Sequence, residues 1–202
     1  MKKEIILIGC GGHARSLIEV IESSDDYRIA GLIGCPNEVG SKIFGYSVIG
    51  SDSDLRDIRQ RIFYAVLAIG QIGLSSKRKD IATYLEELKF TMPTISAKSS
   101  IVSNHASLGI GVTIFHGAIV NAGAIIGNNC ILNSRALIEH DVTIGAQCHI
   151  STGVIINGGV SIGSGSFIGS NAMVREGLKI PSNTVISAGK RVMQWPPRNE
   201  SN

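Results

Sequence analysis

The sequence predicts a small α/β unit over residues 1–94, followed by a triangular coil of short parallel strands over residues 95–202. Two observations carry this. Charged residues are unevenly spread: 24 fall in residues 1–94, 12 of each sign, and only 11 in residues 95–202. From Val102 to Val192, every sixth residue is Leu, Ile or Val, sixteen in succession. With 30 such residues among these 108, chance would give that run roughly once in a billion trials. The repeat therefore decides the fold of the second half.

In the first half, Ile5–Ile8 is a short apolar run ended by Gly9, which reads as a buried strand. Ser16 to Ile21 carries Leu17, Ile18, Val20 and Ile21, a helical pattern. Ile29 to Ile33 and Phe63 to Ile69 read as further strands. Ser75 to Leu88 places Ile81, Tyr84, Leu85 and Leu88 at helical spacing. Strands that alternate with helices imply a parallel sheet.

In the second half, neither the two-residue period of a strand nor the 3.6-residue period of a helix gives six. One flat side of a triangular coil does: a short strand, then a turn. The aliphatic points inward, and a usually small residue four positions later (Ala106, Val112, Ala118, Ala124, Cys130, Ala136) leaves room near the corner. Gly and Asn tolerate the positive φ that tight corners require. Three hexads make one coil, so the sixteen hexads make about five coils whose stacked aliphatics form the core. Ice-binding coils need a flat Thr-rich side, and Thr is scattered here.

Composition narrows the function. A net charge of +3 is too weak and dispersed to expect nucleic acid. No apolar run reaches the roughly 18 residues of a membrane span, and Ile5–Gly9 is too short for a secretory leader core. Cys10, Cys35, Cys130 and Cys148 show neither CxxC nor Cys/His zinc spacing. Reduced thiols, a cytoplasmic location and no metal are expected.

Gly9-Cys10-Gly11-Gly12-His13 joins the first strand to the first helix. Glycines let backbone N–H groups approach a ligand, and a helix N-terminus favours an anion. Ala14 replaces the third glycine of a dinucleotide fingerprint, and the second strand ends Ile33-Gly34-Cys35 without an acid. A nucleoside-diphosphate group therefore suits this turn better than NAD. A plain turn without ligand is the remaining reading.

These features together resemble the bacterial hexapeptide-repeat acetyltransferases of the sialic acid O-acetyltransferase and sugar-nucleotide 4-amino-sugar N-acetyltransferase family. The shared features are the Gly-x-Gly-Gly-His turn, Ile69-Gly70 ending a later strand with Arg78 in the next helix, and the unbroken hexads. The resemblance implies a Rossmann-like first domain and a left-handed parallel β-helix in the second. It implies a homotrimer that uses acetyl-CoA for bacterial surface-glycan biosynthesis, lipopolysaccharide O-antigen included. The first domain would take a nucleotide-linked amino sugar through Gly9, Gly11, Gly12, His13, Gly70 and Arg78. CoA would lie along the coil between subunits. Two departures stand out: Gly34-Cys35 replaces an acidic pair closing the second strand, and the tail Lys190–Pro197 lacks a Gly-x-Pro-Ala motif.

Acyl transfer from a thioester needs a base, because an attacking ammonium or hydroxyl must lose a proton. Histidine suits this near neutral pH. His140 lies in Ile138-Glu139-His140-Asp141, two residues after an inward aliphatic. Glu139 is expected to orient its ring, as an acid does in a triad. The resemblance makes His140 the general base and His149 a contact to the acetyl group. Gly158 lies three hexads after His140, one coil above, where it leaves space for the thioester carbonyl. His105 and His116 read as surface residues, and no cysteine has an adjacent base. The leading expectation is N-acetylation of a nucleotide-linked 4-amino-deoxy sugar. O-acetylation of sialic acid uses the same base, and a non-catalytic scaffold is the alternative from another class.

Overall fold

The computed structural model of the chain describes residues 2–74 and 76–196. The last residues of the tail, from Pro197, lie outside this description. Two compact units are present: residues 2–71 with 76–98, and residues 99–196 with 72–74.

The first unit is built around β1 (Lys3–Ile8). Ile5, Ile6, Leu7 and Ile8 are all at most 1% exposed, so β1 is covered on both faces and reads as a continuous apolar run. It pairs in parallel with β2 (Tyr27–Ile33) on one side. Two further strands, β3 (Lys42–Ile43) and β4 (Tyr46–Gly50), form an edge hairpin. Its turn residues Phe44 and Gly45 have φ of 48° and 87°. β4 runs parallel to β2. On the other side of β1 lies β5 (Tyr64–Leu67), also parallel, giving the order β3-β4-β2-β1-β5. Helix α1 (Gly12–Glu22) buries Ala14, Leu17, Ile18, Val20 and Ile21. Helices α2 (Leu55–Ile58) and α3 (Lys77–Glu87) contribute Leu55, Ile81 and Leu85 to a core shared with Ile6, Ile8 and Ile33. This is the expected α/β unit; the hairpin and α2 were not expected, because they are too short to show a period.

The second unit is the expected left-handed β-helix. Its strands are very short, and each pairs in parallel with the strand three hexads along the chain, as Val120 with Ile138 and Ile138 with Ile156. One side carries Ile101–Val102, Ile119–Val120, Leu137–Ile138, Ile155–Ile156, Met173–Val174 and Arg191–Val192. The hexad aliphatics from Ile114 to Val192 are 0–3% exposed and stack into one core with Ala118, Ala124, Cys130, Ala136 and Cys148. Trp195 packs against this core.

The corners explain the composition. At every sixth position from Gly111 to Gly189 the backbone is left-handed, and Gly or Asn fills eleven of these fourteen sites. Arg135, Asp141 and Gln147 are the others, with φ of 61°, 59° and 59°. A non-glycine residue there is strained by roughly 1–2 kcal/mol. At Asp141 that conformation has a chemical consequence.

Candidate active site

The strand Leu137–Ile138 delivers Glu139, His140 and Asp141 to the next corner. The backbone is held on both flanks: Asp141 N–H donates to Ala122 O at 3.1 Å, and Gly159 N–H donates to His140 O at 3.0 Å. The left-handed turn at Asp141 swings its carboxylate back to the ring of its neighbour. His140 Nδ1 lies 2.9 Å from Asp141 Oδ2. A carboxylate only accepts, so Nδ1 carries the proton and the neutral ring keeps its lone pair on Nε2. The Asp141 hydrogen bond raises the His140 pKa above its ordinary value, with the charges of Asp141 and Glu139 adding and partial desolvation opposing.

The orienting acid is therefore Asp141, not Glu139. Glu139 Oε2 instead accepts from Asn121 Nδ2 at 3.1 Å, on the coil below, and from the His140 backbone N–H at 3.4 Å. The physical reason is the corner. Glu139 still follows the side of the coil, whereas the backbone reverses at Asp141. A Cβ at Gly123, one coil below, would collide with Asp141 Oδ1, so glycine there makes room for the carboxylate.

Gly158 stacks one coil above His140, as its spacing requires. A Cβ on it would lie 2.7 Å from both Cε1 and Nε2 of the ring. The space it leaves is filled by the imidazole, so its first effect is to seat the His140 ring. An open groove of about 540 Å³ is lined by Glu139, His140, Asp141, Asn157, Gly158 and Glu176, among others. His149 does not line it. That residue sits on the strand His149–Ile150 of another side, is 6% exposed, and stacks edge-on against Phe167 at 5.3 Å. Asn133 Nδ2 lies 3.3 Å from its Nε2. Half a coil separates it from His140, and within one chain the two rings do not meet.

In the first unit, Gly9 (φ 115°) donates its N–H to Ile33 O at 2.8 Å. A Cβ there would lie 2.9 Å from Ala68 O, so no other residue fits. Gly11 caps α1 in an extended conformation, φ −83°. Positive φ is therefore not what requires glycine at this position. Gly11 and Gly12 are exposed, and a Cβ on either would meet nothing within 4 Å. The space above them is open to a ligand at the α1 N-terminus. His13 lies in the first turn of α1 beside Gly70, where an added Cβ would lie 3.4 Å from that of His13.

Arg78 does not reach this surface. It is 1% exposed, and its Nε donates to Ile69 O at 3.1 Å. A buried guanidinium must be hydrogen-bonded, and this one braces the segment leaving β5. A residue not anticipated from the sequence is Glu38, whose carboxylate touches the glycine turn through the Cys10 thiol at 3.0 Å.

A family model described as the PglD N-terminal domain matches residues 4–85, and models of the bacterial transferase hexapeptide and of the hexapeptide repeat of succinyl-transferase match residues 141–176 and 123–157. No curated protein sequence gives a match. Among solved structures, PerB from Caulobacter crescentus, in complex with CoA and GDP-perosamine, is 30% identical with a TM-score of 0.87, covering 95% of this chain and 89% of that one. Variants of a perosamine N-acetyltransferase from the same organism, with one histidine changed to Asn or Ala, are 29% identical with a TM-score of 0.88. The acetyltransferase domain of PglB from Neisseria gonorrhoeae, in complex with acetyl coenzyme A, is 26% identical with a TM-score of 0.84, covering 95% of this chain and 93% of that one.

Proposed function

Because the chain belongs to the bacterial hexapeptide-repeat acetyltransferases of the sialic acid O-acetyltransferase and sugar-nucleotide N-acetyltransferase family, we propose that it transfers acetyl from acetyl-CoA to the amine of a nucleotide-linked 4-amino-deoxy sugar. It is an acetyl-CoA-dependent sugar acetyltransferase; the amine acceptor, the base and the pathway are the proposed parts. The observation that carries the reading is His140, held by Asp141 through Nδ1 and lining an open groove. The relatives support it: one was solved with CoA and GDP-perosamine, and so were variants with one histidine replaced.

In the proposed reaction the sugar amine attacks the thioester carbonyl carbon directly. His140 Nε2 takes the proton that the nitrogen must lose, and Asp141 stabilises the imidazolium that forms. The carbon–sulfur bond breaks, CoA leaves, and the proton returns to solvent or to the leaving thiolate. Gly11 and Gly12 hold the acceptor's diphosphate at the N-terminus of α1, and Gly9 makes the tight turn that places them there. Activated amino sugars of this kind are precursors of surface glycans. No described helix is long and apolar enough to cross a membrane, and the reaction is assigned to the cytoplasm, where CoA and nucleotide sugars are made.

The direct test incubates the protein with acetyl-CoA and a panel of nucleotide-linked 4-amino sugars and free sialic acids. The expected product is an N-acetylated nucleotide sugar by mass spectrometry, with release of one CoA thiol. Acetylated sialic acid in its place would move the reading to O-acetylation. In Gly11→Val the side chain intrudes on the open space above the turn. The acceptor KM is expected to rise at least tenfold, a loss of about 1.4 kcal/mol, while the acetyl-CoA KM stays near wild type. An unchanged acceptor KM would remove the nucleotide from the first unit.

A homotrimer is part of the proposal. On the side of the β-helix that leads to His140, the outward positions are Ile101, Ile119, Leu137, Ile155 and Met173, closed by Arg191 at the last strand. Ile101 is 62% and Ile155 39% exposed. The next side presents Ser107, Thr143, Ser161 and Lys179 along with Ile125. A continuous apolar ladder suits a second copy of the chain. Sedimentation at micromolar concentration is expected to give a trimer mass; a monomer would contradict this.

A further inference from the structure

We propose that Glu38 reads the ribose of the acceptor, so that the sugar is carried on a ribonucleoside diphosphate and not on a 2′-deoxyribonucleoside diphosphate. This rests on the assignment of the nucleotide to the glycine turn and adds a substrate class to it. In a parallel α/β sheet, a pyrophosphate at the β1–α1 turn brings the ribose to the end of the second strand, where a carboxylate accepts from a ribose hydroxyl. Here β2 ends Ile33-Gly34-Cys35, with no acid at its tip.

The structure supplies the acid three residues later. A 3₁₀ turn, Pro36–Glu38, folds the Glu38 side chain back onto the end of β2. Its Oε2 accepts from the Cys35 N–H at 2.7 Å and from the Cys10 thiol at 3.0 Å. Oε1 takes part in neither of these two bonds, and the Cys35 thiol also reaches the carboxylate. One oxygen is thus pinned at the end of the strand by two donors, while the side chain stays partly exposed there. Gly34 fits this arrangement. A Cβ on it would lie 2.8 Å from Cys10 Sγ and 3.0 Å from Glu38 Oε2, so the space at the strand tip is taken by this pair.

The electrostatics agree with the geometry. The Cys10 hydrogen bond, then that of the Cys35 N–H, holds Glu38 below the usual carboxylate range, with the Cys35 thiol and the charge of Lys77 adding and partial burial opposing. Burial and the Glu38 contact push the Cys10 thiol up to about 11, so it stays a protonated donor. Cys10 is therefore a positioning residue for Glu38, not a nucleophile. An ionised acceptor at this place gains a hydrogen bond from a 2′-hydroxyl and nothing from a 2′-methylene.

The test is calorimetric binding of GDP against 2′-deoxy-GDP, and of UDP against 2′-deoxy-UDP, to the full chain. Wild type is expected to favour the ribonucleotide of each pair by about tenfold or more, the usual worth of a hydrogen bond to a charged group. In Glu38→Gln the amide oxygen can keep both anchoring bonds while a nitrogen replaces the other oxygen. The ribo-to-deoxy ratio is then expected to fall toward one, with the deoxynucleotide affinities nearly unchanged. A merely structural role would weaken both members of each pair equally and leave the ratio intact, which would overturn the proposal. A wild-type ratio of one would do the same while leaving the nucleotide site in place. If none of the four nucleotides bound, this inference and the nucleotide reading would fall together. Should Glu38→Gln not fold, Glu38→Asp, which withdraws the carboxylate by one methylene, is expected to lower the ratio in the same way.

Discussion

Replacing His140 with alanine is expected to lower kcat by roughly 10² to 10⁴, about 3–5 kcal/mol of barrier, the usual worth of a general base. The acetyl-CoA KM should change little, because the role is removal of a proton. Steady-state kinetics on the purified variant check both numbers. The structure adds a pH signature. Asp141 raises the His140 pKa above the usual imidazole value of about 6.5. The base is competent only when neutral, so the ring is lost as a base when pH falls through the raised pKa, not through the ordinary one. Asp141→Asn removes the main cause of the shift, and the His140 titration followed by NMR is expected to move to lower pH. A titration that does not move would show that the 2.9 Å contact is not made in solution. Retained turnover in His140→Ala would move the chemistry elsewhere.

Ile150→Asp is expected to prevent the β-helix from folding. Ile150 is fully buried and stacks between Leu132 and Ile168 of the adjacent coils. A carboxylate there is unpaired, which costs several kcal/mol even after it neutralises, and the stack also loses an aliphatic side chain worth about 2–5 kcal/mol. Against a typical total stability of about 5–15 kcal/mol, that loss is decisive. Ile125→Asp is the control. Ile125 faces outward and is 53% exposed, whereas its neighbour Ile126 is buried. The control should keep a native circular-dichroism spectrum and a melting temperature within a few degrees of wild type. Equal behaviour of the two variants would contradict the inward register of the repeat.

The elements that were legible in the sequence are those whose physics is periodic. Sixteen aliphatics in one phase can be satisfied only by a coil that returns every third hexad, and the observed ladder pairs meet that requirement coil on coil. β1 and α1 were legible because burial on both faces gives a continuous apolar run and burial on one face gives a helical stripe. The hairpin Lys42–Gly50 was not, since so short a strand beside so tight a turn carries no period. Arg78 entered as a substrate contact through the family resemblance, and only the packed fold shows it braced inside against Ile69 O.

The sequence by itself determined the coil, its inward residues, the histidine at its corner and the glycine one coil above it; that the imidazole, and not a thioester, fills the space this glycine leaves was decided by the fold. Hexad phase and the return of the chain after every third hexad are properties of order along the chain. What only the tertiary structure decided is which carboxylate serves which partner. Glu139 and Asp141 flank His140 equally in sequence. The left-handed backbone at Asp141, over the space left by Gly123 one coil below, turns one of them onto the ring and leaves the other bound to Asn121. Glu38 is the same case in the first unit. No spacing rule brings an acid beyond the end of a strand back to its tip; the 3₁₀ turn and the donors Cys10 and Cys35 do. Side-chain direction at a chain reversal depends on φ and on the free volume beside it, and neither is written in the order of residues.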